Sequence, residues 1–202
     1  LRELNADEVF AFRLAACDNQ VDRDNERFTE NTLEQLAKLY IGKTVLLDHV
    51  WSAKSQTARI YNAYVSGEGD VKRLILCCYT VRPESMADTI SAIEGGILRE
   101  CSVGCTVEHV LCSICGADQR TTLCQHRGGH EYDGKICHFD LVDACEAYEV
   151  SLVAGPAQPK AGVVKAKRYG GTEGKEPHAP VGADDKERWQ DEAALALEKM
   201  RF

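Results

Sequence analysis

The chain has no apolar run long enough to span a bilayer, and no stretch ordered like a secretory leader. These absences predict a protein with no membrane association. Positive charge is also short. Lys and Arg number 24 against 32 Asp and Glu, for a formal charge of -8 and a pI near 5.3. Contacts to phosphate backbones need clustered cations, so no nucleic-acid partner is expected. The chain opens at Leu1 rather than at methionine, as expected of a processed or trimmed product.

Cysteine, by contrast, is plentiful, with ten in 202 residues. A chain of this length with 44% hydrophobic residues can build its own core and does not need a disulfide framework. Cys77 and Cys78 sit in an apolar run, where a free thiol serves as a small hydrophobe. A reduced, cytoplasmic compartment is expected. Cys112-Ser-Ile-Cys115 followed by Cys124-Gln-His126 reads as C-x2-C then C-x-H, and Cys112, Cys115, Cys124 and His126 suit one tetrahedral Zn2+. Sites with three cysteines and one histidine are usually closed and structural, so the expected zinc is a staple rather than a catalyst. His130, Cys137 and His138 are spare donors, and a loose reduced loop is the alternative.

Periodicity organises the rest. Residues 9–16 read as a strand and 17–25 as a polar turn. Thr29 caps a helix with Leu33, Leu36, Ala37 and Tyr40 at helical spacing, ended by Gly42. Strands are predicted over 44–50, 57–65 and 71–80, and a helix over 83–93 that Gly95-Gly96 breaks. Residues 97–107 and 147–154 alternate as strands on either side of a zinc-binding insertion at about 108–140. The segment at 168–183 is rich in Gly, Lys and Pro and reads as a flexible linker; 184–202 reads as a C-terminal helix with Trp189, Ala193, Leu197 and Met200 along one stripe. The expected fold is α+β, a mainly antiparallel sheet or barrel with flanking helices, over residues 1–167.

Three of these segments carry groups suited to acyl transfer, which needs a hydroxyl, an imidazole to take its proton, and a third group to orient the ring. They are Asp48-His49, Cys101-Ser102-Val103-Gly104, and Tyr148-Glu149-Val150-Ser151. Alternation puts Ser102, Gly104 and Thr106 on one face, and Cys101, Val103 and Cys105 on the other.

From about Val9 to about Ala166 the chain resembles the prohead maturation proteases of tailed bacteriophages, whose fold is similar to that of the herpesvirus assemblin serine proteases. The resemblance rests on Asp22 to Phe28, Gly42-Lys-Thr-Val-Leu-Leu-Asp-His49, Gly96-Ile-Leu-Arg-Glu-Cys-Ser102-Val-Gly104, and Glu149-Val-Ser-Leu-Val-Ala-Gly-Pro-Ala157. A variant branch of that family carries a cysteine-rich insertion before the last motif. The resemblance implies a serine endopeptidase with Ser102 as nucleophile and His49 as general base. Glu149 is preferred as third member, with His109 and Asp48 as alternatives. Cys105 stands where the family commonly has a large apolar residue. The implied substrates are scaffold and major capsid proteins, cut in the host cytoplasm inside the assembling prohead. The tail fits a scaffold-targeting role or an ordinary peripheral helix, and homo-oligomerisation stays open. A catalytically silent assembly protein keeping the protease fold is the alternative, and a zinc-containing binding module a third reading.

Overall fold

Simple alternation builds the first strand. In β1 (Val9–Asp18), Phe10, Phe12, Leu14 and Ala16 share one face and are buried in the main core, as the two-residue period of a strand requires. The computed structural model describes Arg2 and residues 4–165; the predicted linker at 168–183 and helix at 184–202 lie outside the described residues. No described helix is long and apolar enough to cross a membrane.

From β1 the sheet grows through antiparallel neighbours: β1 pairs with β5 (Arg73–Val81), β5 with β4 (Ala58–Ser66), and β4 with β3 (Thr44–Leu47). Next comes β9 (Phe139–Leu152), parallel to β3 and antiparallel to β6 (Cys101–Cys112), while the short β2 (Glu26–Phe28) lies parallel to the first residues of β9. On the other edge, β10 (Gly162–Lys165) pairs antiparallel with β1. The result is a mixed eight-stranded sheet. A bridge between Glu100 and Gly162, and a hydrogen bond from Val163 N–H to the Arg99 carbonyl (2.7 Å), tie β10 to the chain entering β6, so the ends of the sheet meet. A Cβ at Gly162 would lie 2.6 Å from the Arg99 carbonyl oxygen, so only glycine allows this approach.

The fold is α+β, as expected, and most strand pairs are antiparallel. The two parallel pairings, β3 and β2 with β9, arise because the chain returns to β9 only after a long excursion, the condition for a parallel neighbour. The helix α1 (Glu30–Leu39) begins as predicted. Thr29 Oγ1 accepts the Thr32 N–H, and Leu33, Leu36 and Ala37 are buried. Helix α2 (Ala87–Glu94) is shorter than predicted, because residues after Pro83 first form a 3-10 turn at Glu84–Met86.

The largest departures are in β6 and β9. Strand β6 starts at Cys101 rather than 97, because Ile97 and Leu98 still donate to the Ala92 carbonyl at the end of α2. Strand β6 then continues into the expected insertion as far as Cys112, and β9 starts at Phe139 rather than 147. The register shifts opposite Gly104/Cys105 and Thr106/Val107 leave Tyr148 and Cys145 as extra residues in β9 and break the alternation of that strand. What remains of the insertion is 113–138, with a small hairpin of β7 (Glu131–Tyr132) and β8 (Lys135–Ile136). Its two-residue turn is Asp133-Gly134, both at positive φ, the chemistry such a hairpin favours.

Candidate active site and metal centre

His49 enters the site through a chain reversal. Asp48 N–H still donates to the Leu152 carbonyl (3.0 Å), continuing the β3–β9 pairing by one residue. Asp48 and His49 then both take positive φ, 52° and 54°, a left-handed conformation uncommon outside glycine. The turn brings the His49 ring to β9, where Nδ1 lies 2.7 Å from Glu149 Oε1. The Glu149 side chain is only 2% exposed and that of His49 is 43% exposed, so the carboxylate is buried and the ring opens to solvent. Ser151 joins them: its Oγ accepts the His49 backbone N–H (3.0 Å) and donates to Glu149 Oε2 (2.5 Å).

The β6–β9 register adds the hydroxyl. Ser102 stands directly opposite Ser151, and Gly104 opposite Glu149. Directly opposed residues in such a ladder have Cβ atoms about 4.5–5.5 Å apart, so Ser102 shares a face with the Ser151–Glu149 pair. Among the described residues its hydroxyl makes no hydrogen bond. Gly104 leaves room for the carboxylate, since a Cβ there would lie 2.6 Å from Glu149 Oε1. Gly104 is held in turn by the Tyr40 hydroxyl, which donates to its carbonyl (3.0 Å) from beneath α1. Gly104→Ala is therefore expected to push Glu149 away from His49 and to cost about 1–3 kcal/mol through overpacking. Urea unfolding measures the cost; an unchanged midpoint would mean that the carboxylate has space to yield.

The thiols flanking Ser102 are turned away. Cys101 is fully buried, with Sγ 3.6 Å from the Ala15 carbonyl, and Cys105 packs on the same core. Burial, followed by the Glu100 charge for Cys101 and the Glu26 charge for Cys105, pushes both up to about 12, so neither is a thiolate near neutrality. A cavity of about 340 Å³ is lined by Cys101, Ser102 and Cys105 together with Phe28, Asp22 and Asp24; His49 and Glu149 are not in its lining. Next to Glu149, Tyr148 falls at a bulge of β9, bonds Thr106 Oγ1 and meets the exposed Trp51 edge-on at 6.4 Å.

His109, one alternative third member, lies elsewhere. It is seven residues along β6 from Ser102, roughly 20 Å in an extended strand, and its Nδ1 pairs with Asp118 Oδ2 (2.8 Å). That bond raises His109. The same bond, followed by the backbone N–H groups of Arg120 and Val110, lowers Asp118 to about 2. The raised imidazole stabilises the turn below the ordinary histidine range, and that contribution is lost as pH climbs through its raised value. The depressed carboxylate contributes above the ordinary aspartate range and is lost as pH falls toward about 2. Amide protection at Val110 and Arg120 is thus expected to peak between about pH 4 and 6.5 and to decline on both sides, as pH-resolved hydrogen exchange would read.

At the far end of β6 the ligand atoms of Cys112, Cys115, Cys124 and His126 all lie within 4.8 Å of one another. Cys112 is the last residue of β6. Gly116, at φ 73°, closes the C-x2-C turn by donating to the Cys112 carbonyl (2.8 Å). Cys112 Sγ stands 3.7 Å from His126 Nδ1, near the roughly 3.6 Å expected of two ligands on one tetrahedral zinc. The donors therefore fit a metal ion such as zinc. His126 is braced edge-on by Tyr132 at 4.6 Å, and Cys124 Sγ accepts from Gln119 Nε2 (3.2 Å). Burial opposes ionisation of Cys112, but hydrogen bonds from the backbone N–H groups of Cys115 and Ile114 and from the Cys124 and Cys115 side chains together lower the thiol. Of the spare donors, His138 turns Nε2 toward Asp140 (3.4 Å), whereas Cys137 Sγ reaches 3.9 Å from Cys112 Sγ. Burial, then its neighbour Cys112, pushes Cys137 up to about 11.

The structure thus brings His49 and Glu149 into contact, sets Ser102 on the adjoining strand, and gathers the four predicted metal ligands. Sequence reasoning passed over Ser151 and Tyr40; the spacing Glu149-x-Ser151, which puts both side chains on one strand face, was the available signal for the first. Comparison of the chain with protein-family models, with curated proteins and with solved structures finds no match.

Proposed function

We propose that the chain is a serine endopeptidase of the prohead-maturation type, with Ser102 as nucleophile, His49 as general base and Glu149 orienting the imidazole. The observation that carries this reading is the contrast between two serines facing each other across β6 and β9. Ser151 donates to Glu149 and accepts from His49, whereas the Ser102 hydroxyl is uncommitted directly across the ladder from it, on the strand next to the buried carboxylate that holds His49. A purely structural serine in a strand has no need of that company.

In this mechanism Glu149 accepts from His49 Nδ1–H, which leaves the lone pair of Nε2 free to take the Ser102 proton as Oγ attacks a scissile carbonyl. The imidazolium then gives that proton to the leaving amine, and water releases the acyl group by the same exchange in reverse. The resemblance of the His49, Ser102 and Glu149 motifs to the prohead proteases points to scaffold and capsid proteins as substrates, cut inside an assembling prohead in the host cytoplasm. The metal of the insertion is zinc in this reading, and its role is structural, because four protein donors leave no open position for water.

A second reading, a catalytically silent assembly protein, is favoured by one observation: no hydrogen bond joins His49 and Ser102 among the described residues. Such bonds often tighten only when substrate binds. A fluorophosphonate probe separates the two. The wild type should gain one phosphonyl adduct, mapped by peptide mass to Ser102, and His49→Ala should gain none. A wild type that stays unlabelled while an authentic serine protease reacts would favour the silent protein.

A further inference from the structure

Ser151 does more than fill a strand. Its hydroxyl has one proton and two lone pairs. One lone pair accepts the His49 backbone N–H at 3.0 Å, and the proton goes to Glu149 Oε2 at 2.5 Å. Glu149 Oε1 is left as the acceptor facing His49 Nδ1 at 2.7 Å. The three hydrogen bonds close a ring that starts at the His49 backbone, passes through Ser151 and the carboxylate, and returns to the His49 imidazole. Ser151 is fully buried and Glu149 almost so, and a polar ring sheltered from water is worth more than its separate bonds.

We propose that Ser151 is a positioning residue that locks His49 both in place and in tautomer: through Glu149 it holds the proton on Nδ1, and through the backbone it holds the left-handed turn at His49. Two geometric facts support a dedicated role. His49 sits at φ 54°, where a non-glycine residue needs outside restraint, and its backbone N–H donates to the Ser151 hydroxyl. Ser151 also occupies the ladder position directly opposite Ser102, so any drift of Ser151 moves the imidazole relative to the hydroxyl it would serve. Without the Ser151 proton, Glu149 Oε2 is a buried acceptor with no partner, and the carboxylate is free to rotate away from Nδ1.

The inference rests on the proposed protease site for its catalytic consequence, but not for its structural one, and the test separates the two. Long-range proton–nitrogen NMR on the 15N-histidine-labelled full chain reads the His49 tautomer directly. Wild type should show the Nδ1–H form. Ser151→Ala should show a mixture of tautomers, and Ser151→Thr, which keeps the hydroxyl, should restore the wild-type pattern. If peptide cleavage is measurable, Ser151→Ala should lower kcat by about 10- to 100-fold with KM little changed. A shifted tautomer in Ser151→Ala, beside a wild type that cleaves nothing, would keep Ser151 as the positioning residue while removing the protease. A folded Ser151→Ala with the wild-type tautomer would overturn the inference. Should Ser151→Ala not fold, Ser151→Cys keeps nearly the same volume with a much weaker donor, and an unchanged tautomer there would overturn it equally.

Discussion

Ser102→Ala is expected to abolish cleavage of scaffold and capsid substrates, with a loss on the order of 10⁶-fold in kcat, as when the nucleophile of a serine protease is removed. The same variant should melt at the wild-type temperature. Its hydroxyl bonds to nothing among the described residues, so deleting it strands no partner. Glu149→Gln forms the contrast. It should also lose activity, by about 10⁴-fold, because an amide cannot hold the Nδ1 tautomer as a carboxylate does. But Glu149 is buried and bonded to both His49 and Ser151, so this variant should be destabilised as well. Intact mass of the substrates over time gives the activity, and a thermal melt gives the stability. A Ser102→Ala protein that still processes its substrates at the normal rate would refute the nucleophile assignment.

Removing the metal should act on a different part of the molecule. Segment 113–138 has little core of its own: Leu123 is 83% exposed and Ile136 58% exposed. The gathered thiols and imidazole can hold a metal ion there, and small structural zinc modules draw about 10–16 kcal/mol of folding free energy from their metal. Chelation, or Cys112→Ser, is therefore expected to erase hydrogen-exchange protection across 113–138 while leaving β1, β4 and β5 as slow as before. Metal analysis should give one zinc per chain in the wild type. Protection that survives full chelation would show that the segment holds itself together without metal.

How much of this was visible in the sequence depended on whether local chemistry and tertiary geometry agreed. Thr29, the leucines of α1 and the C-x2-C turn each announce themselves within a few residues, and each is where it was expected. The outer halves of β6 and β9 do not, because two bulges break the alternation of β9 and these halves carry Glu108, Asp140, Asp143 and Glu146 where a strand is usually apolar. Each is instead held by the other's ladder, a contact between residues up to 51 positions apart that no window of sequence contains. The nucleophile and base candidates were legible as motifs. The contact that organises them was less so: Ser151 looks like any strand serine until Glu149 and His49 are placed around it.

The long β6–β9 ribbon also sets a distance. Ser102 and Cys112 lie ten residues apart on one strand, roughly 30 Å at the rise of extended chain. That is three or more Debye lengths at physiological ionic strength, so a doubly charged ion in the thiolate cluster exerts almost no field on the imidazole at the other end. Exchanging the metal for cobalt or cadmium, or altering the charge of its ligand set, should leave the pH dependence of any reaction at His49 unmoved. The two centres share a scaffold but are electrically independent, and either can be redesigned without retuning the other.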